Sequence, residues 1–223
     1  MDEVCFTAGR APGLVTAQDG TRIPYERYGD GPPVILVGGG PGEGGGERVL
    51  AGLLARRFPV VVYERRGGAG PVEREIGDLA LVVDAVGGAA AVHGTASGGG
   101  LALAAAAAGV PVGAVSVYEP PYTDGAADGL GRVLARVLVI DGGSSPAGTR
   151  RAARTVAAAV PRGRHRTLTG QTDEVAPHVL APVLAEFLEE VLGVDGAVGG
   201  DGAVGGDGRD GAAVGAEPPD RSR

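Results

Sequence analysis

Lysine is absent from the chain: all 20 basic residues are arginine. With Ala, Gly and Val abundant, that absence points to a GC-rich coding sequence and carries no mechanism. Cysteine is nearly absent as well. The single Cys5 excludes an internal disulfide and any multi-cysteine metal site. No two histidines stand at metal-ligand spacing, so neither a metal nor another cofactor is expected. Long apolar runs are missing: the longest, near Leu101–Ala108 and Val133–Ile140, are too short to span a bilayer. The N-terminus MDEVCFTAGR is acidic and lacks the basic and apolar regions of a signal peptide. These absences predict a soluble, cytoplasmic protein with no membrane partner. A basic footprint is lacking too. Net charge is -7 and the arginines are scattered, with Arg150, Arg151 and Arg154 reading as a solvated helix face, so no nucleic-acid partner is expected.

What is present fits one domain. The 223 residues are 43% hydrophobic, enough for a sizeable core. LVTAQDGTRIPYERY, residues 14–28, reads as a hairpin about Asp19-Gly20. PVILV, 33–37, is a continuous apolar strand that ends in GGGPGEGGG, the pattern of a buried parallel strand feeding a glycine loop. Strand-like runs at 60–63, 89–93, 112–118, 133–140 and 164–168 alternate with helical spacing at 48–57, 72–86, 101–108, 149–160 and 181–192. Alternation of this kind predicts an α/β fold with a mostly parallel sheet and helices on both faces. Ligands of such sheets bind at the carboxyl ends of the strands. From 193 to 223 the chain repeats DGAVGG, has no apolar period and reads as a disordered tail. The predicted organisation is an extension over 1–13, a domain over 14–192, and that tail.

A strand, a Gly-x-Ser-x-Gly turn and an Ala-rich helix are the signature of a nucleophile elbow, and residues 89–108 resemble it, with Gly94-Thr95-Ala96-Ser97-Gly98 at the turn. Together with GGGPG at 38–42, VVVYERRGGAGP at 60–71, VYEPPY at 117–122, VLVIDGGSSP at 137–146 and LTGQTDEVAPHVLAPVLAEFL at 168–188, the chain resembles the α/β-hydrolase family from residue 14 to residue 192. The resemblance implies that GGGPG is an oxyanion loop. Gly39, Gly40 and Gly42 would present backbone N–H groups to a developing negative charge, opposite Gly98.

The departures from the family pattern are specific. In Gly94-Thr95-Ala96-Ser97-Gly98 the nucleophile position is Ala96, and a methyl group attacks nothing. Ser145 stands where the family carries its acid, in Gly142-Gly143-Ser144-Ser145. Asp173 stands where it carries its histidine, in Gly170-Gln171-Thr172-Asp173. The helical cap usual between the sixth and seventh strands is reduced to TDGAADGLGR, 123–132. That predicts a cap-less protein whose pocket is open or covered by a second subunit, as in a homo-oligomer, or by the tail.

Each candidate has a plainer alternative. Ser97 is either a displaced nucleophile or a helix cap. Asp173 is either a general base or the N-cap of the last helix. Glu119, closing the sixth strand, is either a proton-transfer group or a structural hydrogen-bond acceptor. Glu64, Arg65 and Arg66 read as an internal ion pair rather than an anion clamp. His93 reads as a packed core residue, and His165 and His178 as structural or exposed.

The favoured function is a non-hydrolytic enzyme of cyclase, isomerase or lyase type, acting on a small organic substrate in bacterial natural-product metabolism. Asp173 and Glu119 would be its catalytic residues, with Gly39, Gly40, Ala96, Ser97 and Ser145 lining the pocket. Two alternatives stand beside it. One is a non-catalytic pseudo-hydrolase binding a small molecule or a partner protein; the other is a weak serine esterase using Ser97.

Overall fold

The computed structural model describes residues 10–40, 45–66, 70–121 and 127–193. The tail from 194, the first nine residues, Gly42 and positions 122–126 of the shortened cap segment lie outside that description.

Strands β1 (Arg10–Thr16) and β2 (Arg22–Tyr28) pair antiparallel about the expected turn. Gly20 takes a positive φ of 83° there, and the Thr21 amide donates to Asp19 Oδ1 at 3.0 Å. β1 begins at Arg10, four residues before the expected domain start. The rest of the sheet is β3 (Val34–Val37), β4 (Val60–Tyr63), β5 (Ala90–Thr95), β6 (Val112–Tyr118), β7 (Arg136–Gly142) and β8 (Gly163–Leu168). The order β1-β2-β4-β3-β5-β6-β7-β8 is parallel from β4 onward. All four residues of β3 are buried, as a strand covered on both faces requires.

Among the described residues six helices accompany these strands: α1 (Gly45–Leu54), α2 (Val72–Ala85), α3 (Ser97–Ala107), α4 (Ala127–Leu130), α5 (Ala147–Ala159) and α6 (Pro177–Leu192). One face packs Leu79 and Val83 of α2, Leu101 and Ala105 of α3 and Val156 of α5 on Ile35, Val92, Val117 and Val139. The opposite face packs Leu50 and Leu54 of α1 and Leu184 and Leu188 of α6 on Leu36, Ala91, Tyr118 and Ile140. Between β6 and β7 the described residues hold only α4, a single turn, where the family's cap would stand.

Four helices start earlier than their spacing suggests, α1 and α5 by three and two residues and α3 and α6 by four. α6 begins at Pro177, because a proline fits the first helical position, where its missing N–H costs nothing. α3 begins at Ser97 and absorbs Gly98-Gly99-Gly100, which read as turn residues; the packing that forces this is described below. In α1, Val49 is 57% exposed, while Leu50, Ala51 and Leu54 carry the burial.

Register brings the strand ends into one row. Thr95 lies opposite Tyr118, and Tyr118 opposite Ile140. The residues that follow, Ala96, Glu119 and Asp141, therefore line the same carboxyl edge. Beneath that edge His93 is buried, as its sequence context suggested, with Nδ1 2.9 Å from Ser116 Oγ. Burial pushes its pKa down from 6.5 to about 4. Between those values the unfolded chain binds a proton that the folded chain refuses. Stability from this residue is full above pH 6.5 and falls as pH drops toward 4. The loss should reach about 3 kcal/mol at the acid end. Urea titrations over this range should show that His93→Gln, which cannot titrate, lacks this part of the acid sensitivity.

Candidate active site

The site is built on a turn too tight for side chains at two places. A Cβ on Gly94 would sit 2.4 Å from the Gly98 carbonyl oxygen, and one on Gly98 would sit 2.3 Å from the Val37 carbonyl oxygen. These glycines let the first turn of α3 press against the end of β3. The residue between them bears the cost. Ala96 has φ 47° and ψ −120°, a region that an L-residue with a Cβ seldom visits. Its amide donates to the Tyr118 carbonyl at 2.9 Å, and its side chain is exposed at the apex. The elbow is intact and presents a methyl group.

Ser97 is neither an apex residue nor a side-chain cap. Ala96 occupies the N-cap position of α3, with no side-chain cap bond, and Ser97 is the first helical residue. The Ser97 hydroxyl donates to the Gly39 carbonyl and accepts from Arg65 Nη1 at 2.9 Å. The same Arg65 nitrogen donates to the Gly38 carbonyl at 2.9 Å, and Arg65 Nη2 pairs with Glu75 Oε2 at 2.6 Å. Arg65 thus ties the glycine loop, the elbow and α2 together. Arg66 is held by Asp78, at 2.5 and 2.6 Å, and by Asp19 at 2.7 Å. The arginines are internally paired, but with acids of α2 and the hairpin turn rather than with Glu64. Because a peptide is planar and trans, the Gly39 carbonyl facing Ser97 turns the Gly40 N–H the other way.

Glu119 and Ser145 come together. Glu119 leaves β6 with φ 45° and is 8% exposed. Its Oε1 accepts from the Gly142 amide at 2.9 Å and from the Ser145 hydroxyl at 2.5 Å. A carboxylate therefore does stand beside the acid position, delivered by β6 and oriented by Ser145 instead of being carried on the β7 loop. Gly142 has no room for a Cβ, which would lie 2.4 Å from the Gln171 carbonyl oxygen.

Asp173 lies exposed on the neighbouring loop. It is not the N-cap of α6; that position is Ala176, whose amide donates to Gln171 Oε1 at 3.1 Å. Tyr118, which the sequence reading passed over, donates its hydroxyl to the Thr172 carbonyl beside Asp173. Burial first, then the charges of Glu119, Asp141 and Asp173, hold that hydroxyl above its ordinary pKa. Its only sequence signal was its place in VYEPPY. His165 contacts buried Asp141, Nε2 to Oδ2 2.9 Å, on the outer strand β8, and His178 is exposed on the first turn of α6. Two clefts flank the site without including Ala96. One of about 680 Å³ lies between the hairpin turn and α2, and one of about 410 Å³ lies between α2, α3 and α4.

Among solved structures, an α/β hydrolase from Sphaerobacter thermophilus is 34% identical, over 79% of this chain and 100% of that one, with a TM-score of 0.73. The chain belongs to the α/β-hydrolase superfamily. More distant superfamily folds include Est1E from Butyrivibrio proteoclasticus, at 13% identity and TM-score 0.70 over 83% of this chain and 100% of that one. A meta-cleavage product hydrolase from Pseudomonas fluorescens shares 14% identity and a TM-score of 0.70 over 80% and 97%. At those identities they share the fold alone. No protein-family model matches the chain, and a comparison with curated proteins gives no match.

In this member of the α/β-hydrolase superfamily the elbow strain resides at Ala96 and the close approach at Gly98. Ala96→Gly should raise stability by about 1 kcal/mol by relieving the positive φ. Gly98→Ala should cost about 3 kcal/mol by driving a Cβ into backbone. Paired urea titrations check both signs.

Proposed function

We propose that the protein acts on a small organic molecule held over the elbow, by positioning and proton transfer rather than through an acyl-enzyme. The reaction would be of cyclase, isomerase or lyase type. The observation that carries this reading is Ala96: the elbow keeps its strain and exposure but offers no nucleophile. A methyl at the apex leaves room for a substrate atom where a nucleophile would stand. At the same carboxyl edge stand an exposed carboxylate, Asp173, and a buried and oriented one, Glu119, while the Tyr118 hydroxyl is bonded to the Thr172 carbonyl and holds the loop that carries Asp173. Such groups suit proton transfer without a covalent intermediate. The Ser97 amide, at the start of α3, is free of intrahelical bonding and available to a developing oxyanion.

Binding without chemistry is the second reading, and one observation favours it. The Gly39 carbonyl, rather than an N–H, faces Ser97 and accepts from its hydroxyl, so the described start of the glycine loop is bonded to the elbow.

One experiment separates the two. A panel of small keto acids, lactones and β-dicarbonyl compounds is screened by amide chemical shifts at Ala96 and Glu119, and hits are assayed for turnover. On a turned-over hit, Asp173→Asn and Glu119→Gln should each lower kcat by about 10²–10⁴, while His178→Ala should change it little. A double amide variant with unimpaired turnover would overturn the proton-transfer reading. Hits that bind at the elbow and never turn over would establish the second.

A further inference from the structure

One part of this acidic protein carries no acid at all. From residue 142 to residue 172 the chain holds Arg150, Arg151, Arg154, Arg162, Arg164 and Arg166 and not one Asp or Glu. Arg164 and Arg166 are matched from across the sheet by Glu190 and Glu186 of α6, at 2.6 and 2.7 Å. The remaining four have no ion-pair partner among the described residues. Three of them lie on α5, where Arg151 and Arg154 are exposed. The fourth, Arg162, is exposed in the turn that leads from α5 into β8. The Nε of Arg150 is buried without a hydrogen-bond partner.

The geometry points to an occupant. α5 crosses between parallel strands, so its C-terminal end and Arg162 lie at the start of β8. α6 ends at the same place, because Glu190 reaches both Arg136 at the start of β7 and Arg164 at the start of β8. A cleft of about 310 Å³ lies between α6 and the turn that leads into β8, lined by Phe187 and Glu190 of α6 and by Arg162 and Gly163. The chain leaves α6 at Gly193 beside this cleft and continues as VDGAVGGDGAVGGDG, with Asp195, Asp201 and Asp207 at six-residue intervals. Six extended residues span about 20 Å at most, and the 13 residues of α5 rise by about 20 Å. One repeat therefore covers the distance from Arg162 to the far end of α5. We propose that the acidic repeat after Gly193 lies along the arginine face of α5, with Asp195 at Arg162 and Asp201 at Arg154 and Arg151.

Charge and tethering both favour this occupant over a second copy of the same basic face, which would meet it with like charge. The repeat holds no side chain larger than valine to anchor it, so the contact is electrostatic and must yield to salt.

Paramagnetic relaxation enhancement on the full chain tests this. Cys5→Ser removes the native thiol, and a nitroxide is attached through Ala203→Cys. At low salt the amides of α5 and Arg162 should broaden more than those of α1 and α2. The effect should vanish in about 1 M NaCl, where the Debye length is about 3 Å, and in Arg151→Glu/Arg154→Glu. Three results would each overturn the proposal: no preference for α5 at low salt, broadening that survives the charge reversal, or broadening seen only between separately labelled molecules. The last would assign the face to a second copy.

Discussion

The contact on which this molecule turns is the one between the first turn of α3 and the end of β3, where Gly98 meets the Val37 carbonyl with no space for a side chain. That approach forces Ala96 into its positive φ. It also places the exposed apex in a row with Glu119 and Asp141 at the strand ends. In a hydrolase, strain of this kind serves to lift a nucleophile out of the sheet. Here the same strain lifts a methyl group. A turn costing on the order of 1–3 kcal/mol has been kept while the atom it usually serves is gone.

The surroundings of the elbow show two different outcomes. On the side of β6 and β7 the polar groups are organised: Glu119 is buried, bonded by the Gly142 amide and oriented by Ser145. Tyr118 pins the loop that carries Asp173. Toward the glycine loop the groups are consumed. The Ser97 hydroxyl, the Gly39 carbonyl and Arg65 satisfy one another. A Ser97 hydroxyl engaged at both its donor and its acceptor is a poor nucleophile, which weighs against a weak esterase.

Sequence order and apolar runs made the fold readable. β3 and the core of β6 are buried runs bounded by glycine and proline, and their alternation with helical spacing admits few topologies. The replacement at Ala96 was equally readable, because the spacing between Gly94 and Gly98 fixes which residue reaches the apex. What escaped was everything settled across the sheet. The start of α3 at Ser97 depends on a close approach to β3, and a run of three glycines gives no helical signal of its own. Glu119 and Ser145 stand 26 residues apart in sequence, and the register of β6 with β7 brings them together. The roles of Arg65 and Tyr118 were hidden for the same reason, since their partners come from distant strands and helices.

The elbow keeps its strain and its exposure and lacks a nucleophile, and Ala96→Ser with Asp173→His is expected to restore covalent chemistry. Intact-protein mass spectrometry after treatment with a fluorophosphonate tests it most directly, on the natural chain and on Ala96→Ser/Asp173→His side by side. No adduct is expected on the natural chain, and a single adduct at position 96 of the variant. Labelling of Ser97 in the natural chain, or no labelling of a folded variant, would contradict it.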